Sequence, residues 1–171
     1  VRVFGQADRA LTSLQEDLKN KNLPADIQQN VKNWVEMAGE WKKETVTPEK
    51  MTPAELVKYA EAQIPEGVER KIAPSNPKLF KLLRVSGLLY NRLFQNESGA
   101  QTQAMLYLLA RCERSLAPLY WYSLNEIYLK ECVIQYPKQA YSKKCFEAYK
   151  QGMEERYMGG NLSEGVKASI D

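Results

Sequence analysis

The stretch that decides the fold, residues 124–149, reads LNEIYLKECVIQYPKQAYSKKCFEAY. Each side of its proline carries one stripe of residues at steps of four: Leu124, Tyr128 and Cys132 before it, and Tyr141, Cys145 and Tyr149 after it. Steps of four keep each stripe on one face of a helix. Because Pro137 stops a helix and starts the chain afresh, the stretch predicts two antiparallel helices that meet along these stripes.

The same helical periodicity extends over the rest of the chain, interrupted by prolines and glycines. We expect helices over about residues 3–18, 24–43, 53–64, 77–94, 100–115, 120–135 and 139–158. Thr52-Pro53-Ala54-Glu55 has the pattern of a capping box that opens the third of them. No sustained apolar-polar alternation next to hairpin turns indicates a strand. The sequence therefore predicts an all-α fold of about seven helices packed as antiparallel hairpins.

Length and composition favour one helical domain. The chain has 171 residues, of which 44% are hydrophobic and 26% charged, as in ordinary globular domains. We expect residues 1–158 to form this domain, with a long proline-containing connector at 65–77 and a flexible tail at 159–171. Val1 follows no basic and apolar leader, so we expect either a removed signal peptide or a fragment of a longer protein.

Residues 104–150 resemble the tetratricopeptide-type repeats of bacterial envelope proteins. In that comparison Leu129 matches the large apolar position of the repeat, Cys132 its small position and Pro137 its helix-ending proline. The segment from Ala110 to Pro137 is about one helical turn longer than such a repeat. The resemblance implies a solenoid-like C-terminal half, while a helical-hairpin domain without tandem repeats accounts for the same residues.

The positions of the cysteines bear on whether the protein occupies an oxidising or a reducing compartment. In an antiparallel hairpin turning at Pro137, Cys132 and Cys145 lie within roughly 4–5 Å of the same level along the axis, so a disulfide between them is one prediction. The alternative is that both are small buried thiols. The disulfide implies an oxidising compartment, and Cys112 would then be the remaining, buried cysteine.

The absence of histidine excludes the commonest kinds of catalytic and metal-binding sites. The chain has no histidine, the commonest general acid or base and the commonest metal ligand. It contains no Cys-x-x-Cys pair and no glycine loop for phosphate. We therefore predict a protein that is not an enzyme and has no catalytic residues, no cofactor and no metal site.

The leading hypothesis is a non-catalytic scaffold or protein-interaction module of a bacterial cell envelope, on the periplasmic side. Its predicted partner is another protein or a peptide, held in a groove beside the last two helices. The candidate contact residues are the aromatic side chains Trp121, Tyr122, Tyr128, Tyr141 and Tyr149. Ordinary amphipathic packing of these rings is the alternative interpretation.

A second hypothesis uses the positive charges. The chain carries 24 basic and 21 acidic side chains, a net charge of +3 that permits anionic partners without indicating one. Two clusters form candidate basic edges: Lys78, Lys81 and Arg84, and Lys138, Lys143 and Lys144. They predict a cytoplasmic domain that binds nucleic acid or anionic lipid, unless both edges are simply solvated.

Overall fold

The structure, a computed structural model, describes residues 6–64, 76, 78–95, 99–117 and 124–157. The predicted connector at 65–77, apart from Asn76 itself, and the predicted tail at 159–171 lie outside these ranges. Trp121 and Tyr122 also lie outside them. No helix within the described ranges is long and apolar enough to cross a membrane.

The all-α prediction is confirmed, since the described ranges contain seven α-helices, one short 3-10 turn and no β-strand. The helices are α1 (Ala7–Asp17), α2 (Ala25–Lys43), α3 (Pro53–Gln63), α4 (Lys78–Phe94), α5 (Thr102–Leu116), α6 (Asn125–Gln135) and α7 (Ser142–Tyr157), and the 3-10 turn is Pro48–Lys50. Helices α1 and α2, α4 and α5, and α6 and α7 pack as consecutive pairs, and α5 also packs against α6.

The main core lies between α4 and α5, and α3 packs against both helices. It is built from fully buried side chains on the facing sides of these three helices: Leu56, Ala60, Leu79, Leu82, Leu89, Met105, Leu108 and Leu109. Burying each of these leucine and methionine side chains contributes about 1.5–3 kcal/mol. Helix α3 begins with the predicted capping box, in which Thr52 and Glu55 each bond the other's backbone N–H.

The first helical pair packs against α4 through aromatic rings. Phe80 of α4 is 1% exposed and meets Trp34 and Trp41 of α2 edge to face, with ring centroids 5.8 and 6.1 Å apart. Leu11 and Leu14 of α1 pack against the same cluster. The two tryptophans, seven residues apart in α2, therefore pack into the hydrophobic core.

The predicted basic edge on α4 is wrong at Arg84. Lys78 and Lys81 are exposed, but Arg84 is 6% exposed and its guanidinium bonds Glu44 at 2.5 Å. The same guanidinium lies 4.7 Å from the ring centroid of Trp41. The C-terminal end of α2 covers this side of α4, so the Arg84 side chain is buried and its charge is paired with the partly exposed carboxylate of Glu44.

We expect Glu44→Gln to destabilise the protein by about 1–3 kcal/mol, because it leaves the buried Arg84 charge without its anion. The value is below that of a fully buried pair because the Glu44 side chain is 38% exposed. Asp8→Asn is the matched control, since the Lys42–Asp8 pair is exposed at both ends and contributes less than about 1 kcal/mol. Urea unfolding of the two variants checks this, and equal effects would contradict it.

Candidate functional site

The predicted disulfide joins α6 to α7. Cys132 and Cys145 are bonded, with their Cα atoms 6.2 Å apart, and both are 0% exposed. Cys112 lies outside this bond and is buried in the main core, as predicted. The α6–α7 hairpin therefore brings Cys132 and Cys145 face to face, with Tyr128, Tyr141 and Tyr149 packed against the same core.

A second core surrounds the disulfide and attaches the hairpin to α5. Leu106 and Ala110 of α5 and Leu129 of α6 are buried with the two cysteines. Leu129 and Cys132 therefore both face a neighbouring helix, as their spacing predicts. Leu93 near the end of α4 packs against this cluster and against the main core, so the two cores are joined there.

A buried carboxamide holds the corner between α6 and α7. Gln103 of α5 is 2% exposed, and its Nε2 donates to the carbonyl of Tyr136 at 2.9 Å and to Oγ of Ser142 at 3.0 Å. Its Oε1 accepts from the backbone N–H of Tyr141 at 2.9 Å. One side chain thereby satisfies polar groups at the end of α6 and at the start of α7, where helices leave their backbone groups without intrahelical partners.

The corner itself differs from the prediction at the start of α7. This helix begins at Ser142 rather than near Gln139, and Lys138 in the turn before it has a left-handed φ of 66°. The hydroxyl of Ser142 donates to the Tyr136 carbonyl at 2.7 Å and accepts from the Gln139 N–H at 3.0 Å. Sequence reasoning missed Gln103 and Ser142 because both residue types are common on helix surfaces and nothing local marks them as buried partners.

Three of the predicted contact tyrosines lie along this hairpin. Tyr128, Tyr141 and Tyr149 are each partly buried and pack against the disulfide core. Tyr107 of α5, which sequence reasoning did not single out, has its ring centroid 5.5 Å from that of Tyr141. We call these four residues the tyrosine face.

The hydroxyl of Tyr141 already has a structural partner. It donates to Oε1 of Glu61 on α3 at 2.6 Å and so ties α3 to the start of α7. Burial and this bond to a carboxylate raise the pKa of Tyr141 to about 12, so the phenol stays protonated at neutral pH.

Cations border the tyrosine face. Lys144 Nζ lies 4.8 Å from the ring centroid of Tyr141, and the guanidinium of Arg111 lies 5.9 Å from that of Tyr107. Lys138, Lys143 and Lys144 are all exposed, and Lys143 faces Glu147 at 3.8 Å. The second basic cluster is therefore solvated and sits beside the tyrosine face.

The described residues hold no group of three side chains of the kind that binds a metal ion. A cleft of about 480 Å³ opens where α3 and α5 begin. The described residues that line it are Thr52, Pro53, Ala54, Gly99, Ala100, Gln101, Thr102 and Met105, and none of these side chains is ionisable in the range of general acid-base catalysis.

Comparison of the chain with protein-family models, with curated proteins and with solved structures finds no match. The likeness of residues 104–150 to tetratricopeptide-type repeats therefore stays a prediction.

We expect Gln103→Leu to lower the free energy of unfolding by about 2–4 kcal/mol, because it removes the side-chain hydrogen bonds to Tyr136 and Ser142 and leaves the Tyr141 N–H without its acceptor. Gln101→Leu is the matched control, since Gln101 stands at the start of the same helix, is partly exposed and makes no capping bond. Chemical unfolding measures both. A loss for Gln103→Leu no larger than that of the control would contradict the assigned role.

Tyr141→Phe is expected to cost about 1 kcal/mol at neutral pH, because it removes the bond to Glu61. A pKa raised on folding favours the protonated phenol, so this contribution is present below about pH 10 and is lost as the pH rises toward about 12. Unfolding free energies of both proteins across this range test the sign. In a double-mutant cycle, Glu61→Ala should add little to Tyr141→Phe, and additive effects would contradict the pairing.

Proposed function

We propose that this protein is a non-catalytic helical scaffold or protein-interaction module of a bacterial cell envelope, acting on the periplasmic side. The observation that carries the proposal is the buried Cys132–Cys145 disulfide, which closes the hairpin bearing the tyrosine face. It supports both halves of the proposal: an oxidising compartment and a surface held in one shape.

The compartment is inferred from the chemistry of cysteine. Disulfides persist in secreted and periplasmic proteins, whereas cytosolic thiols are kept reduced. Both sulfur-bearing residues are 0% exposed, so a small thiol reaches this bond only if the hairpin opens. The resemblance of residues 104–150 to repeats of envelope proteins agrees with the same location.

The interaction surface is inferred from the tyrosine face. Partly buried tyrosine rings provide contact area with few rotatable bonds, so a partner gains apolar contact at low entropic cost. Because the Tyr141 hydroxyl is bonded to Glu61, Tyr141 contributes the surface of its ring to this face. Lys144 beside the rings favours a peptide or protein segment that combines apolar and acidic side chains.

We expect the protein isolated without reductant from its native host to carry one free thiol, that of Cys112, and one disulfide. Mass spectrometry after alkylation of the denatured, unreduced chain counts them. The Cys132→Ala, Cys145→Ala double variant provides the matched standard with one thiol and no disulfide.

Three free thiols in the native protein would overturn the envelope proposal. That result would leave the cytoplasmic alternative, in which the exposed lysines bind nucleic acid or anionic lipid. Arg84 would not take part in such a surface, because it is paired with Glu44.

A further inference from the structure

Few buried side chains hold helix α7 in the protein. Among the side chains described in this helix, those of residues 142–155, Cys145 and Met153 alone are buried, at 0% and 7% exposure. Tyr149 is partly buried against the second core. Helix α5, by contrast, buries most of its residues. The docking of α7 therefore depends on a small number of contacts.

The helix also has little stability of its own. At 16 residues it is close to the length below which isolated helices are marginal in water. Gly152 lies inside it, where glycine is less favourable than alanine. A Cβ placed on Gly152 would meet no described neighbour within 4 Å, so no close contact requires a glycine there. We therefore expect α7 to unfold once it leaves α5 and α6.

Three contacts attach α7 along its length. The corner held by Gln103 positions its start, and the disulfide then joins Cys145 to Cys132 of α6. Near its other end, Glu155 pairs with Arg114 of α5. The side chains of that pair are 42% and 18% exposed, so water screens their attraction and the pair contributes little. The disulfide is therefore the strongest attachment of α7 beyond the corner.

The main core is built without α7. Its described buried side chains come from residues 56–116, which all lie outside that helix. The second core, in contrast, has Cys145 as a buried member and Tyr149 packed against it. Opening of α7 therefore uncovers the second core and removes Tyr149 from the tyrosine face, and it leaves the main core in place.

We propose that α7 is a redox-dependent element of this protein. It stays docked while the Cys132–Cys145 disulfide is intact, and it is released when a dithiol reduces that bond. The tyrosine face is then complete in the oxidised protein and dismantled in the reduced one.

Reduction proceeds by thiol-disulfide exchange. A thiolate of the dithiol attacks one sulfur of the Cys132–Cys145 bond, and the second thiol then displaces the mixed disulfide. Two electrons and two protons pass from the dithiol to Cys132 and Cys145, which end as thiols, and the reductant ends as a disulfide. Because both cysteines are 0% exposed, the attack takes place while α7 is transiently open.

The length of the closed loop sets the size of the effect. Cys132 and Cys145 are 13 residues apart, and the bond between them restrains an opened α7 as it restrains the unfolded chain. Loss of a constraint of this loop length is expected to raise the population of opened α7 about a hundredfold.

This inference rests on the proposed function only because it treats the tyrosine face as the binding surface. The thiol count of the native protein tests the compartment, whereas the release of α7 is measured on purified protein in both oxidation states. A docked α7 in the reduced protein would leave the thiol count unaffected, and three free thiols in the host would leave the release unaffected. The two proposals therefore fail separately.

Hydrogen exchange of the backbone amides in the full chain tests the release. Oxidised and fully reduced wild type are compared, because reduction leaves every side chain in place. Amides of α7 beyond Cys145 should exchange about a hundredfold faster in the reduced protein, while those of α4 and α5 keep their protection. The Cys132→Ala, Cys145→Ala double variant is the control for the reductant, since its exchange should be the same with and without the dithiol.

Two glycine substitutions test whether the accelerated exchange reports unfolding of α7 itself. Gly152→Ala should slow the exchange of α7 in the reduced protein about fourfold, because alanine favours the helix. Gly39→Ala is the matched control, since Gly39 lies inside α2 with the same open space around its Cβ, and it should leave α7 unchanged. Equal effects of the two substitutions would contradict the proposal.

Two outcomes of the reduction itself would overturn the proposal. Exchange of α7 that does not change on reduction would mean that the other contacts suffice to keep it docked. An equal acceleration in α4 and α5 would mean that the disulfide stabilises the whole domain and that α7 has no separate release.

Discussion

The described C-terminal half depends on the carboxamide of Gln103. The last carbonyls of α6 and the first N–H groups of α7 have no partners within their own helices, and the turn between them is too short to provide all of them. A side chain from a third helix satisfies groups at both ends, bonding the Tyr136 carbonyl and the Tyr141 N–H. These bonds, together with the packing of Leu106 and Ala110 against the disulfide core, hold the hairpin on α5.

The disulfide and the Gln103 carboxamide stabilise the same hairpin through different contacts. Cys132 and Cys145 fix the distance between α6 and α7, whereas Gln103 fixes how the pair is attached to α5. Closing the short loop between the cysteines contributes about 3 kcal/mol by restricting the unfolded chain. The tyrosine face is thereby held in a constant position relative to α5.

The basic side chains of this protein have different roles according to their burial. A buried one holds helices together, whereas exposed ones are solvated. Arg84 illustrates the first case, since its guanidinium is enclosed by Glu44 and the ring of Trp41 and helps to hold α2 on α4. Lys143 and Lys144 illustrate the second, on a helix surface open to water. The residue type is basic in each case, and only the neighbouring elements distinguish the roles.

The sequence by itself determined what depends on neighbours along the chain. Periodicity placed the helices, the Thr52–Glu55 pattern placed the start of α3, and Pro137 placed the corner across which Cys132 and Cys145, 13 residues apart, are bonded. Helical geometry is nearly invariant over such distances, so spacing alone predicts which residues share a face. The tertiary structure decided the burial of Arg84, whose partner is 40 residues away, and the role of Gln103, which bonds Tyr136 across 33 residues. Those contacts depend on how separate helices pack, and residue type and local spacing carry no record of that packing.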